Sequence, residues 1–379
     1  MSCKIHLRTF SGEHHPRTVK YITYASANLH ADCSFLIQVC GNHLGILFED
    51  QFGDSSSFLV WDCRTGDQVL VSTRPLFALL AVDIFCNQQI HALGFKSFAF
   101  MTEDLILAAI LRSDLEPTLQ VLRIAAFVYP IYSVEDIPYV CELRYPNVKG
   151  AVENLLIRSE PTPTWKPSAG SGVPFYGSRK DFIFTISMRI LWADTQEITV
   201  LFVPLSTLLS EVERSHGVPR RDVPWDVWGP DGTRVIRREP SEVWVCYTYG
   251  MRFIQGLRWN SGHEARVYDF NRYAARKHVK ASVDAPTPWK RLAPESKPSG
   301  HSPSFYRQVF TRLPGRVANV TLEHSDDGWD ACMIGEDHIV MVQVRYPTIE
   351  YVVDFVVDFF VSIVAASNLH VRLYGYVKF

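Results

Sequence analysis

Short apolar or alternating runs, each separated from the next by a turn-sized polar gap, recur along most of the chain. They are clearest between residues 34 and 72, where Phe35–Cys40 and His43–Phe48 flank Gly41-Asn42. Two strand-like runs joined by a Gly-Asn pair are typical of a β-hairpin with a two-residue turn. The pattern therefore predicts two antiparallel strands at this position.

A second hairpin follows the first one directly. The run Phe58–Asp62 ends in a Trp-Asp pair, and Val69–Val71 resumes the strand pattern after a polar gap. Gly66 lies in that gap and is free to adopt the positive φ of a tight turn. Four strands within about 40 residues match one blade of a β-propeller, so residues 34–72 are predicted to form a complete blade.

The strand pattern continues at irregular spacing through most of the chain. Further strands are predicted at residues 5–9, 96–101, 105–111, 118–124, 182–188, 197–203, 243–247, 265–270, 316–323 and 331–344. One short helix is predicted after Pro204, because the apolar residues there recur at helical spacing; they are Leu205, Leu208, Leu209 and Val212. Together these elements predict an all-β, WD40-like propeller of about six or seven irregular blades, with one short inserted helix.

Two long connections and an apolar tail interrupt this pattern. Residues 159–178 are rich in Pro, Ser and Gly, and residues 272–304 combine prolines with an excess of Lys and Arg. Both are predicted to be surface loops of a single propeller-like domain over residues 1–345. In the tail, residues 346–379, two aspartates leave an apolar stretch shorter than the roughly 20 residues of a bilayer span. A buried strand or helix is predicted there, with no membrane contact.

Composition narrows the functional classes only slightly. The chain has 379 residues, of which 47% are hydrophobic and 21% charged, and its formal net charge of -2 gives no general attraction to nucleic acid or membrane. Its eight cysteines are widely spaced and include no C-x-x-C pair, which indicates free thiols rather than a disulfide framework. The N-terminus lacks the apolar core of a signal peptide. A cytoplasmic or nuclear protein is predicted.

Candidate catalytic and metal-ligating residues are few. Cys33, Cys40 and His43 lack a fourth ligand at zinc spacing, so structural packing is the preferred interpretation. The pairs His14-His15 and Asp326-Asp327 both lie beside turn residues and are interpreted as loop residues. No G-x-S-x-G, H-E-x-x-H or P-loop pattern occurs. We therefore assign no catalytic, cofactor-binding or metal-binding residue and predict that the chain is not an enzyme.

Two groups of residues leave a binding role open. In and beside the segment 272–304, aromatic residues alternate with basic ones, a composition that can stack bases and neutralise phosphates; the aromatic residues are Tyr273, Trp289, Phe305 and Tyr306. A solvated linker is the alternative, and the modest overall charge favours it. Trp225, Trp228 and the pairs Arg220-Arg221 and Arg237-Arg238 are of types frequent at protein-binding hot spots. Core packing is the more common role of Trp in a β protein, and no partner-binding site is assigned.

Six segments together resemble the C-terminal β region of the large F-box protein family of mushroom-forming fungi. The segments are Ile5–Pro16, Cys40–Phe48, Val60–Gly66, Val223–Pro230, Val243–Gly250 and Val267–Asn271. Their order and spacing carry the resemblance, which covers roughly residues 3–345.

The resemblance implies a function in protein recognition. In that family an F-box module docks on a Skp1-type adaptor of a cullin ubiquitin ligase, and the propeller-like region selects the protein to be modified. No stretch of this chain resembles the F-box, so the resemblance does not extend to adaptor binding. We predict a non-enzymatic protein-interaction module; the alternatives are a nucleic-acid-binding module that uses residues 272–304 and an unrecognised hydrolase on a propeller.

Overall fold

The structure is a computed structural model, and it describes the chain in nineteen segments. These are residues 3–7, 20–24, 34–40, 43–49, 56–62, 68–72, 94–112, 115–124, 138–160, 181–192, 195–218, 220–238, 247–256, 264–271, 289–293, 305–321, 331–335, 338–345 and 370–378. The chain divides into two compact units. Unit 1 comprises Met1–Arg238 and Pro294–Leu313, and unit 2 comprises Glu239–Ala293 and Pro314–Phe379. The single domain over residues 1–345 stays a prediction.

Unit 1 contains fifteen strands and two helices in its described residues. The strands are β1 (Cys3–Leu7), β2 (Lys20–Tyr24), β3 (Ser34–Cys40), β4 (His43–Glu49), β5 (Ser56–Asp62), β6 (Gln68–Ser72), β7 (Phe95–Phe100), β8 (Leu105–Leu111), β9 (Pro117–Arg123), β10 (Tyr139–Arg144), β11 (Ala151–Arg158), β12 (Ile183–Trp192), β13 (Thr195–Pro204), β14 (Arg221–Val223) and β15 (Arg234–Arg238). The helices are α1 (Leu205–Arg214) and α2 (Trp225–Gly232).

Three sheets of unit 1 follow the same plan. The first has the order β3-β4-β5-β6, the second contains β7-β8-β9-β10 with β14 added beside β10, and the third has the order β11-β12-β13-β15. All neighbouring strands in them are antiparallel except β10 and β14, which are parallel. The strands β1 and β2 form a separate antiparallel pair. Each larger sheet is therefore built mainly from strands that are consecutive in the chain.

The second sheet is buried on both of its faces. Every residue of β8 is buried, which explains why Leu105–Leu111 is a continuous apolar run rather than an alternating one. On one face Phe98 and Ile106 join a cluster with Cys40 and Val60 of the first sheet. On the other face, the alternate residues of β7 to β9 join a cluster with residues of the third sheet. Unit 1 therefore stacks three sheets face to face.

The helix α1 confirms the prediction made after Pro204. Leu205, Leu208 and Val212 are its buried apolar residues, and Gly217 has a φ of +80° just beyond its end. The helix α2 was not predicted and corrects the expected count of one helix to two in the described residues. Its sequence, WDVWGPDG, has only two apolar side chains at helical spacing and carries Pro230 inside, so periodicity gives little signal.

Unit 2 contains two sheets in its described residues. Its strands are β16 (Thr248–Tyr249), β17 (Arg252–Gly256), β18 (Glu264–Asp269), β19 (Trp289–Arg291), β20 (Arg316–Thr321), β21 (Ala331–Ile334), β22 (His338–Arg345) and β23 (His370–Lys378). The sheet orders are β16-β17-β18-β20-β19 and β21-β22-β23, with every neighbouring pair antiparallel. Ile254 and Val267 of the first sheet pack with Ile334 and Ile339 of the second in one apolar cluster.

Most of the predicted strands are confirmed, and the structure is mainly β. The two hairpins of residues 34–72 appear as β3 to β6, with the Trp-Asp pair at the end of β5. One segment corrects the prediction, because Trp289–Arg291 is a strand within the expected loop 272–304. In the tail, His370–Lys378 is a strand that pairs with β22. Residues 161–180, 272–288, 294–304 and 346–369 lie outside the described residues.

Candidate functional site

The cysteine and histidine candidates pack as ordinary strand residues where the structure describes them. Cys40 and His43 are paired across the hairpin of β3 and β4. The Cys40 thiol donates a hydrogen bond to the Thr102 carbonyl oxygen, with a sulfur–oxygen distance of 3.5 Å. Among the described residues, no group of three or more His, Cys, Asp or Glu side chains is placed to hold a metal ion. Cys33, the pair His14-His15 and the pair Asp326-Asp327 lie outside these residues.

A buried cysteine that the sequence did not single out lies beside a charged cluster. Cys141 of β10 is fully buried, and Ser215 and Glu211 from the end of α1 lie near it. Burial is the main cause that raises the pKa of its thiol from 9.0 to about 11, and the Ser215 side chain opposes this shift. The thiolate is the nucleophilic form of cysteine, so this thiol is poorly suited to catalysis at neutral pH.

The Glu211 carboxylate is the buried charge of this cluster. Its side chain is 2% exposed, and it forms ion pairs with Arg214 at 2.5 Å and with Arg221 at 3.6 Å. The two residues of the pair Arg220-Arg221 therefore have different environments. Arg221 points inward to Glu211, whereas Arg220 is exposed and its guanidinium carbon lies 5.6 Å from the centroid of the Tyr139 ring. The side chains of Arg237 and Arg238 lie outside the described part of the chain. The charges near α1 thus stabilise packing.

Trp225 and Trp228 are core residues of unit 1, as the packing interpretation predicted. Their rings meet edge to face with centroids 5.2 Å apart, and both side chains are buried. The Trp228 indole N–H donates a 3.0 Å hydrogen bond to the Arg144 carbonyl oxygen. Gly229 lets the Trp225 ring approach the helix backbone, since a Cβ there would lie 2.4 Å from a ring carbon. Neither tryptophan is available to a partner.

A small apolar pocket lies beneath Trp225. Its lining consists of Tyr145, Pro146, Ile186, Met188, Thr199, Leu201, Trp225, Val235 and Phe305. The free volume of about 10 Å³ holds about one water molecule, far less than a small-molecule substrate needs. The buried Tyr145 hydroxyl has no hydrogen-bond partner among the described residues, and burial holds its pKa well above the usual range. This pocket is therefore a packing defect and not a substrate site.

A second buried carboxylate lies in the second sheet of unit 1. Glu142 of β10 is 3% exposed, and it accepts hydrogen bonds of 2.7 Å from the Arg112 guanidinium and from the Gln120 amide. Arg144, two residues along β10, pairs with Asp222 of the neighbouring strand β14. Both oxygens of the Glu142 carboxylate are thus engaged, and the contacts to Gln120 of β9 and from Arg144 to β14 help to fix the register of neighbouring strands.

Within the described residues of unit 2, several charged groups surround Asp269 at the end of β18. This carboxylate is buried, and Arg316 of β20 donates to its Oδ2 atom from Nε at 3.0 Å and from Nη2 at 2.7 Å. Arg252 of β17 approaches the same oxygen at 3.9 Å, and the Asn271 backbone N–H donates to Oδ1 at 2.9 Å. The Arg316 guanidinium also lies 4.2 Å from the Trp289 ring centroid. An aromatic residue, several arginines and one carboxylate are thus brought together at one end of neighbouring strands in this sheet.

The aromatic residues of the alternative nucleic-acid-binding segment lie in different environments. Trp289 stacks with Arg316 in unit 2 and packs against the apolar cluster there. Phe305 is buried in unit 1 and lines the small pocket, so its ring is not open to a base. Tyr306 is 66% exposed, with the Lys149 ammonium 6.0 Å from its ring centroid. Tyr273 lies outside the residues for which a structure is given.

Comparison with known proteins gives no identification. No protein-family model matches the chain, and no curated protein matches it either. The resemblance to the F-box family therefore stays a prediction. Within the described residues, neither helix is long and apolar enough to cross a bilayer.

Proposed function

We propose that the chain is a propeller-like protein-interaction module of the kind that selects substrates for an F-box ubiquitin ligase. The observation that carries the proposal is the succession of antiparallel sheets in unit 1, each built mainly from consecutive strands and stacked face to face on the next. Stacked four-stranded sheets are the building units of β-propellers, and propellers of the WD40 type serve widely as recognition surfaces.

The number and composition of the sheets support this architecture. The described residues form six sheets, and the predicted count was about six or seven blades. In unit 2 the strands β16, β17, β18 and β20 repeat the meander seen in unit 1. The added strands β14 and β19 and the inserted helices account for the irregular spacing of the sequence pattern. A closed ring of such blades is part of the proposal.

The chemistry of the described residues favours recognition over catalysis. Buried Asp269, Glu142 and Glu211 are each engaged by arginine at short range, as expected of carboxylates that stabilise packing. The Cys141 thiol has a raised pKa, and the pocket beside Trp225 has room for about one water molecule. Exposed side chains such as Tyr306 and Trp192 are of the kinds enriched in protein interfaces.

An affinity capture tests the proposal. The tagged full chain is immobilised, incubated with extract of a mushroom-forming fungus and cross-linked, and the retained proteins are quantified by mass spectrometry. We expect a specific set of partners to be retained, with a Skp1-type adaptor among them, bound through a separate F-box protein. Chain unfolded by heat before immobilisation is the matched control.

The possible outcomes separate the two parts of the proposal. Retention of specific proteins without the adaptor contradicts the ubiquitin-ligase context but leaves protein recognition standing. Retention no greater than that of the unfolded control contradicts the whole proposal. The variant Tyr306→Ala removes an aromatic side chain that is 66% exposed and therefore opens no core, and it reports whether that part of unit 1 contributes to partner binding.

A further inference from the structure

Four charged residues form one row across the five-stranded sheet of unit 2. The strand register aligns Arg252 with Asp269, Asp269 with Arg316, and Arg316 with Arg291. Residues directly opposite each other in neighbouring strands project from the same face of a sheet. The row therefore carries three guanidinium groups and one carboxylate, in the order β17, β18, β20 and β19.

The single carboxylate of this row is already fully engaged. Asp269 is 1% exposed, and its Oδ2 atom accepts two hydrogen bonds from Arg316 while its Oδ1 atom accepts one from the Asn271 backbone. Arg291 lies beyond Arg316 at the outer end of the row and is exposed. Among the described residues, Arg291 makes no ion pair. Like charges directly opposite each other in a sheet repel. An anion bound between or beside Arg291 and Arg316 would offset this repulsion.

We propose that this row binds a carboxylate side chain of an extended, acidic segment of a partner protein. Arg291 holds the carboxylate directly, and Arg316, fixed by Asp269 and by the Trp289 ring, adds positive charge from the adjacent strand. The planar guanidinium fork matches a carboxylate in two parallel hydrogen bonds. This inference rests on the proposed protein-recognition function and assigns it a site and a partner chemistry.

The backbone of β19 favours an extended segment as the occupant. In the described residues β19 is an outermost strand of its sheet. Leu292 donates its N–H to the Gly315 carbonyl oxygen at 2.9 Å, so by the alternation of antiparallel pairs the N–H and C=O of Arg291 point away from β20. An added strand would meet those groups while its side chains reach the arginine row.

Nucleic acid fits this site less well than a protein segment. Recognition of single strands depends on aromatic rings open to the bases. Trp289 carries the Arg316 guanidinium over its ring and packs against the apolar cluster of unit 2, so its ring is already used within the fold. The observations thus favour a carboxylate-bearing protein segment, and nucleic acid becomes an outcome of the test.

The test measures binding of a fluorescent peptide to the full chain. A ten-residue peptide of alternating Glu and Thr supplies the extended acidic segment, its Gln-for-Glu counterpart is the neutral control, and a single-stranded RNA of ten nucleotides is the third probe. The decisive variant is Arg291→Gln. Lys290→Gln is matched to it, because Lys290 is also exposed on β19 and loses the same charge, but projects from the opposite face.

We expect the acidic peptide to bind and the neutral one to bind more weakly. Arg291→Gln should weaken binding of the acidic peptide at least about threefold, Arg291→Glu should abolish it, and Lys290→Gln should leave it nearly unchanged. Circular dichroism of each variant checks that the fold is kept.

Three results would overturn the proposal. They are an acidic peptide that binds no better than the neutral one, equal losses in Arg291→Gln and Lys290→Gln, and RNA that binds more tightly than the peptide and depends on Arg291. If the peptide fails while the affinity capture still retains specific partners, only this assignment is wrong. If both fail, the proposed function is wrong as well.

Discussion

At the scale of single residues, the buried thiol of Cys141 has a property that the surrounding sequence does not predict. The thiol is fully buried in β10, and its pKa is raised to about 11. Below pH 9 both the folded and the unfolded chain keep this proton. Between about pH 9 and 11 the unfolded chain loses it first, so the free energy of unfolding falls as the pH rises.

This difference gives a measurable pH dependence. We expect Cys141 to account for a loss of about 2 to 3 kcal/mol in the free energy of unfolding between pH 9 and 11. Urea unfolding of the native chain and of Cys141→Ala at several pH values isolates this contribution, because other groups titrate in both proteins. The Ala variant should be less stable at pH 8 and should show the shallower decline. Equal slopes in the two proteins would contradict the burial of the thiol.

The buried carboxylates show where residue-level prediction ends. Asp269 was visible in the sequence only as part of a Tyr-Asp pair at a strand end, and its partner Arg316 is 47 positions away. Glu142 meets Arg112, which follows β8 and lies 30 positions earlier in the chain. Each pairing depends on which strands become neighbours and in what register, and a one-residue slip would turn every side chain to the other face. Strand positions were therefore predictable, whereas charge partners were not.

At the level of elements, long apolar or alternating runs were predicted well and short or mixed ones were missed. The strand β8 was found with its full length because all its residues are apolar. The strands β14 and β19 have three residues each and contain charged side chains, so neither has a usable pattern. The sequence did not predict the helix α2, because it contains Gly and Pro, which have low helix propensity. Its two tryptophans stabilise it through tertiary contacts.

The packing of the first sheet on the second yields a prediction at Gly45. A Cβ atom at this position of β4 would lie 2.7 Å from the fully buried ring of Phe98 in β7. Overpacking a core costs about 1 to 3 kcal/mol, while replacing Gly with Ala in a strand gains about 0.5 to 1 kcal/mol. We therefore expect Gly45→Ala to lower the free energy of unfolding by roughly 1 to 2 kcal/mol in urea unfolding.

A double variant identifies Phe98 as the cause of this loss. Phe98→Leu replaces the ring that the new methyl group would meet with a smaller side chain. Gly45→Ala should therefore lower the free energy of unfolding by less in the Phe98→Leu background than in the native chain. Residues in direct contact typically show such coupling. Fully additive effects would contradict the close approach of β4 to β7, and with it the face-to-face stacking of the two sheets.

At the scale of the whole molecule, ring closure is the part of the proposed function that solution scattering tests. The proposed function places all the blades in a single closed propeller, because closure removes the exposed edges that otherwise pair with other chains. The sequence pattern cannot decide this, since each sheet satisfies most of its own backbone hydrogen bonds and closure depends on contacts between sheets far apart in the chain. The shape of the molecule in solution does decide it.

Small-angle X-ray scattering measures that shape directly. For 379 residues in one compact body, we expect a radius of gyration of about 21 Å and a bell-shaped Kratky plot. Two units joined without a common ring would give a radius several ångströms larger and a raised tail in the Kratky plot. The variant Asp269→Asn is a useful companion, because it removes the carboxylate that Arg316 and Arg252 share and should destabilise this part of unit 2. We expect the variant to have the larger radius of gyration, and an unchanged radius would contradict a structural role of the Asp269 carboxylate.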